Sequence, residues 1–370
     1  MGSNSSTFIL DSRLSMEIPM QPTFGVELEF IVRYRIEDYE PAFALGEGDL
    51  WPEHQYMCRS AQFSAIVGKH IVATLREAAY VVNDVSSRIN YEKWTVATDG
   101  SISWDDLEIS CGFDYCGVEF KTPALHCSEE ALTLIQRAVM IIKSHFQVIV
   151  NQSCGLHVHV GNRDAGFPLQ TLKNIGMLAT IFERQIDMIH PEHRLASLYA
   201  QRVACQFRQM GPFERAQRIN AIEELEELID CYHLRSSGVR EGYMAYNFLN
   251  LVTGRGLKTV EFRQHGGSLD PEVIVRWAQL TIAIVIIAHN AGAQGFAQLV
   301  HDHALDSDYT IIDLLHDLDL DELANHYRKH GLHLHQRPAL DWIAQLEDER
   351  HSEDATDQNP GQDTVPNPVA

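Results

Sequence analysis

Four short stretches of this chain carry charged or imidazole side chains at every second position, and that spacing narrows what the chain can build. They are residues 24–30 with Glu27 and Glu29, 117–123 with Glu119 and Lys121, 154–160 with His157 and His159, and 259–263 with Glu261 and Arg263. Side chains alternate along a strand, so residues two apart share a face. Each stretch predicts a strand with one apolar face and one face of acids, imidazoles or a guanidinium. Taken singly, each reads as an ordinary solvated face or, for the histidines, as a satisfied core pair. The residue types argue otherwise when the four are combined, because Glu, His and Arg are the side chains that hold magnesium and phosphate. On one sheet these faces form a concave patch of carboxylates. Crowded carboxylates repel unless cations neutralise them, so the pattern predicts bound divalent metal.

The surroundings predict an α+β fold: a curved, mainly antiparallel sheet flanked by helices. Strands are expected at 23–33, 94–97, 118–120, 156–160, 244–252 and 259–264, and helices at 60–82, 129–146, 168–189, 213–231, 271–289, 311–330 and 339–346. Ser128 before Glu129 and Glu130 reads as an N-cap with acids in the first turn, and Pro271 suits a first helical position. No regular βα alternation appears, which disfavours a doubly wound sheet. Residues 1–22 are expected to be a flexible N-terminus and 23–346 a single catalytic domain. Within that domain 37–55 reads as a surface insertion without clear period, and 347–370 as a disordered acidic tail.

Composition removes several function classes. The net charge of -22 leaves no electrostatic footprint for nucleic acid or an anionic membrane. Seven cysteines without a CxxC pair argue against a disulfide framework and for a reducing, cytoplasmic setting. The most apolar run, near 280–289, is too short on this reading to span a bilayer, which needs about 20 residues. It reads as part of a buried helix, with internal packing favoured over a subunit interface, although an oligomer stays open. Phosphate-loop, HExxH and GxSxG signatures are absent.

The order Glu-x-Glu, Asp99-Gly100-Ser101, Val118-Glu119-Phe120-Lys121-Thr122-Pro123, Cys154-Gly155-Leu156-His157-Val158-His159, Val260-Glu261-Phe262-Arg263 resembles the amidoligase family, which is similar to glutamine synthetase and glutamate–cysteine ligase. The resemblance covers about 23–289. It implies ATP and Mg2+ (or Mn2+) on the concave face, and amide-bond formation between a small-molecule or peptide carboxylate and an amine or amino acid. It also implies site roles. Glu27, Glu29, Glu119 and Glu261 match metal ligands, His157 a metal- and phosphate-contacting imidazole, and His159 its partner near the nucleotide. Arg263 matches the arginine that meets the transferred phosphoryl group. Asp99 occupies the family's acidic turn and is a candidate base. Lys258, beside the turn-like 253–256, and Asn247, on a neighbouring strand with Asn250, are candidate nucleotide contacts.

The chemistry accounts for these types. A carboxylate is a poor electrophile until phosphorylated, and the charge that develops on the transferring phosphoryl calls for metal and arginine. The amine must lose a proton to a base. Two other readings use the same residues: a metal-dependent hydrolase without ATP, and a catalytically inert, ligand-sensing relative. Cys154 invites a nucleophile reading, but a small buried residue is the plainer one. His265-Gly266-Gly267 reads equally as a substrate mouth or a strand-ending turn. His301, His303, His333 and His335 read as surface residues. Residues 37–55 and 207–240 match no motif and are where substrate choice is expected.

Overall fold

The computed structural model describes residues 20–44, 59–85, 90–108, 110–203, 207, 210–233, 235–236, 239–240, 242–252, 257–292 and 294–330. Strand β1 (Thr23–Arg35) shows why a sheet forms here. Phe24, Val26, Leu28, Phe30, Val32 and Tyr34 all enter the main core, while Glu27 and Glu29 point to the other side. The remaining strands are β2 (Thr95–Ala97), β3 (Phe113–Lys121), β4 (Leu125–His126), β5 (Gln147–Ile149), β6 (Gly155–Gly161), the two-stranded pair β7 (Arg235–Ser236) and β8 (Val239–Arg240), β9 (Tyr246–Asn247) and β10 (Thr259–Gly266). The main sheet has eight strands in the order β2-β3-β1-β6-β10-β9, with β4 and β5 also pairing with β1. Every pairing in it is antiparallel, and the sheet is curved and unclosed.

The helices are α1 (Ile36–Ala44), α2 (Arg59–Glu77), α3 (Glu129–His145), α4 (Leu169–Ile181), α5 (Glu183–Asp187), α6 (Glu192–Leu195), α7 (Pro212–Asn220), α8 (Leu225–Tyr232), α9 (Pro271–Asn290), α10 (Ala297–His303), α11 (Ile311–Asp317) and α12 (Asp321–His330). Of these α2, α3, α4 and α9 contribute their apolar faces to the core that also takes the even-numbered residues of β1. Ser128 caps α3 as expected, its Oγ accepting from the Ala131 N–H at 3.2 Å. Asp270 caps α9, with Pro271 in its first turn. By length and composition α9 alone among the described helices could cross a membrane, but it packs on α3, α4, β1 and β6 inside the domain.

Several expected boundaries shift, each for a local reason. Residues 36–44 form a helix despite Pro41, where the expectation was irregular chain; Tyr39 anchors it edge-on to Tyr34, with its hydroxyl 3.0 Å from His70 Nδ1. The strand expected at 244–252 stops at Asn247. Its side-chain oxygen takes the Leu249 N–H at 2.9 Å, an Asx turn that leads into a 3-10 turn (Leu249–Leu251). The helix expected at 311–330 breaks at Asp319, which is left-handed (φ 58°), while the Leu320 N–H reaches back to the Leu315 carbonyl at 2.8 Å. Likewise 168–189 and 213–231 each divide into two helices. Residues 1–19, residues 45–58 with the rest of the expected insertion, residues 253–256, the helix expected at 339–346, His333, His335 and residues 347–370 lie outside the described residues.

Candidate metal and phosphate site

The four dyad strands are consecutive neighbours, β3-β1-β6-β10, and their register aligns the charged faces. Glu119 stands opposite Glu29, Lys121 and His157 flank Glu27 from either side, and His159 stands opposite Glu261. Non-local pairing thus gathers residues more than 200 positions apart into one trough.

Two ligand groups occupy the trough. One ligand atom each from Glu27, His159 and Glu261 lie within 4.8 Å of one another, and so do atoms of Glu29, Asp99 and Glu119. His157, 2% exposed, lies among Glu27, Glu29 and Glu261 at 3.6, 3.8 and 3.8 Å. Arg263 Nη1 pairs with Glu261 Oε1 and lies 3.4 Å from His157 Nδ1, and its Nε donates to the Tyr199 carbonyl at 3.0 Å. Asn247 donates to Glu261 Oε2 at 2.8 Å, orienting that carboxylate. Glu29 Oε2 accepts the Gly155 N–H at 2.6 Å. Asp99 spends one oxygen on the Ser101 N–H and hydroxyl at 2.7 and 2.6 Å.

The electrostatics follow from crowding. Burial works to raise Glu27, but His159, His157 and Lys121 outweigh it and hold its carboxyl well below the usual range. Burial and the Glu27 charge push Glu119 the other way, to about 8, against the pull of Lys121. Glu261 is buried too, yet His159 and Arg263 lower it. Burial opposes protonation of His159, and Glu261 with Glu27 raises it nonetheless.

The chemistry of the donor set suits a hard divalent cation, and one atom supports the fit. His159 Nε2 is buried without a hydrogen-bond partner of good geometry, and its neighbours are Glu27 Oε1 at 3.3 Å and Glu261 Oε1 at 3.8 Å. A neutral imidazole with its lone pair toward two carboxylates needs a positive charge between them, supplied by a proton or by a metal ion. Nδ1, 3.2 Å from Thr259 Oγ1 and 3.4 Å from Asn250 Nδ2, orients the ring.

A family model described as putative amidoligase enzyme matches residues 21–285, well over half of the chain. The chain belongs to this amidoligase family. No curated relative matches it. The matched span contains all four dyad strands and Asp99.

Of the residues singled out in the sequence, Glu27, Glu29, Asp99, Glu119, His157, His159, Asn247, Glu261 and Arg263 come together. Lys258 does not: its ammonium binds the Asp164 carbonyl at 2.5 Å, outside the cluster. His265 turns away from the trough and packs edge-on to His190, with Trp277 also beside it, so its ring does not line the trough. A register shift between Phe262 and His265 is the cause. Cys154 is fully buried, its thiol pushed up by burial, in a small apolar cluster with Ile31, Ile102 and Tyr115. His301 and His303 pair with Asp302 and Asp317 away from the site.

Two site residues escaped the sequence reading. Lys121 is half of a dyad to which the sequence assigns no role; it bridges Glu27 and Glu119. Arg194, on α6, is 3% exposed, and its guanidinium donates to the carbonyls of Arg263 at 2.7 Å and Gln264 at 3.4 Å. Burial lowers its pKa to about 10, against the attraction of Glu29. Arg194 sits in no motif; it donates to carbonyls of two residues that lie between the two registers of β10.

Proposed function

We propose that this amidoligase is an ATP- and magnesium-dependent ligase that joins a carboxylic acid to an amine through an acyl phosphate. The observation that carries the proposal is the trough itself: two oxygen-rich ligand groups side by side, bordered by Arg263. A guanidinium held by Glu261 and a backbone carbonyl beside two such groups suits the charge that develops on a phosphoryl group, which favours phosphoryl chemistry over amide hydrolysis, and the family match favours the ligase. The wider kinship with glutamine synthetase and glutamate–cysteine ligase is part of the same proposal.

In this reading Glu27, His159 and Glu261 hold one cation and Glu29, Asp99 and Glu119 the other, which makes Asp99 a ligand before a base. A divalent cation held by these residues would supply positive charge to offset the negative charge developing on the transferring phosphoryl. Arg263 orients that group, and Asn247 holds Glu261 in place. His157 keeps the carboxylates apart and offers a donor to a phosphate oxygen. The acid's carboxylate takes the γ-phosphoryl and ADP leaves. The amine then attacks the acyl carbon, loses a proton to a base, and phosphate departs. A reducing, cytoplasmic setting is part of the same proposal.

Thermal unfolding tests the reading. Wild type, Glu29→Ala and Arg263→Ala are compared with magnesium, with ATP plus magnesium, and with ATP plus EDTA. A ligand at about 100 times its Kd stabilises by ~2.7 kcal/mol, a shift of a few degrees. A magnesium-dependent ATP shift, lost in both variants, is expected, followed by hydroxamate formation from a carboxylate panel with hydroxylamine. Stabilisation by metal without any ATP effect supports the hydrolase instead.

A further inference from the structure

The ligand groups are bridged by a cation that belongs to the chain. Lys121 Nζ lies 3.0 Å from Glu27 Oε1 and 2.8 Å from Glu119 Oε2, so it joins one member of each group. The oxygen it engages on Glu27 is the one nearest His159 Nε2, at 3.3 Å. That oxygen faces the first ligand group and already carries an ammonium. Lys121 is only partly exposed, its side chain 24% accessible, and it is fixed by its place on β3, with Glu27 opposite it on β1 and Thr95 on β2. The carboxylates Glu27, Glu29, Asp99, Glu119 and Glu261 would otherwise crowd the trough with, among the described residues, Arg263 and Arg194 nearby as fixed positive charges.

We infer that Lys121 is the trough's resident counter-cation and competes with divalent metal for Glu27 and Glu119. The inference rests on the ligase reading only in taking the two ligand groups as ion sites. A dication that uses Glu27 Oε1 in the first group competes with the ammonium for that oxygen, and one that uses Glu119 Oε2 in the second group competes with it there. Either ion would then sit close to a displaced positive charge. The competition has two consequences. It weakens metal binding to the nucleotide-free protein and so couples tight binding to the arrival of an anionic ligand. It also releases, on metal binding, a flexible ammonium with three donors, a group suited to a phosphate or carboxylate oxygen. Lys121 is therefore a positioning residue whose place depends on the metal.

The test is Mn2+ binding to the full-length protein without nucleotide, by titration calorimetry and by the loss of free Mn2+ signal in electron paramagnetic resonance. Lys121→Met should bind Mn2+ at least tenfold more tightly than wild type. Lys121→Arg, which keeps the charge, should stay near wild type or below it. Lys329→Met makes the same change in net charge on the exposed face of α12 and should leave the affinity alone. Equal or weaker binding by a folded Lys121→Met overturns the inference, as does an equal gain in Lys329→Met. If wild type binds Mn2+, and Glu27→Gln and Glu261→Gln abolish it, the ion site stands even when the Lys121 inference falls. If neither wild type nor Lys121→Met binds Mn2+, both fall. Should Lys121→Met fail to fold, a wild-type crystal structure with Mn2+ decides. The ammonium should have left Glu27 Oε1, and its retention there with metal in the first group refutes the competition.

Discussion

Replacing Gly155 with alanine places the smallest possible wedge in the trough. An alanine Cβ there would lie 2.5 Å from His157 Nε2, 3.2 Å from Arg194 Nη2 and 3.2 Å from Glu29 Oε2. Non-bonded heavy atoms reach ordinary contact near 3.5 Å, so the imidazole must retreat by about 1 Å. It has little room, with carboxylates at 3.6–3.8 Å around it. A functional constellation tolerates roughly 0.5 Å of displacement, so the required shift exceeds what the site can absorb. Overpacking of this kind costs about 1–3 kcal/mol of stability, which a domain with this much buried core should survive. A misplacement of about 1 Å, by contrast, lowers a catalysed rate by ~100-fold. Gly155→Ala is therefore expected to fold, to lose 1–3 kcal/mol (order of magnitude) in urea unfolding, and to lose most of its Mn2+ affinity in calorimetry. Hydroxamate formation should fall by about two orders of magnitude. A folded variant with wild-type Mn2+ affinity and turnover would show that His157 and Glu29 have no part in the chemistry.

Arg194→Met should destabilise by about 2–6 kcal/mol in urea unfolding, because two strand carbonyls lose their donors and each buried unpaired group costs about 1–3 kcal/mol. A change within about 0.5 kcal/mol, the usual range of surface substitutions, would mean that the guanidinium does not hold the β10 irregularity. A pH effect is expected from His265. Burial of the ring, with the charge of Arg194, outweighs its bond to the Gly266 carbonyl and lowers its pKa to about 4. The folded state then stays neutral while the unfolded chain protonates below about 6.5. This contribution is fully present above pH 6.5 and is lost as pH falls toward 4, on the order of 1–3 kcal/mol. Urea midpoints of wild type and His265→Gln at pH 7 and 4.5 check it, and an identical pH slope in both would refute it.

Much of the site was legible because strand periodicity is local. Glu27 with Glu29, Glu119 with Lys121, His157 with His159 and Glu261 with Arg263 share faces by the geometry of any strand, whatever its neighbours. Sheet order was less legible, since pairing β1 between β3 and β6 joins segments about 90 and 130 residues away. Where the expectations missed, side chains overrode the local pattern. Asn247 ended a strand through its own amide, and Tyr39 packed a helix that Pro41 argued against. His265 followed a register shift to the core side, taking it out of the trough. Arg194 answers to two backbone carbonyls at the register shift, so no spacing along the chain could reveal it.

The same alternation that exposes the acids also closes one end of their trough. Beyond Glu29 the site-facing position of β1 is Ile31, which packs with Ile102, Tyr115 and Cys154 into a second, smaller core. Ile102 belongs to the loop that carries Asp99, and that loop can lie on β3 because residue 117 is glycine. A Cβ there would stand 2.8 Å from that of Ile102. Thus Asp99 reaches Glu29 and Glu119 through apolar packing three residues further along its loop. Ser101 meanwhile fixes the Asp99 carboxylate through its own N–H and hydroxyl. The trough is lined by polar groups along the dyads and is sealed where β1 turns apolar. Desolvation on the sealed side strengthens every charge interaction within. An apolar cluster of four buried side chains therefore sets the geometry of the second ligand group as directly as the carboxylates do.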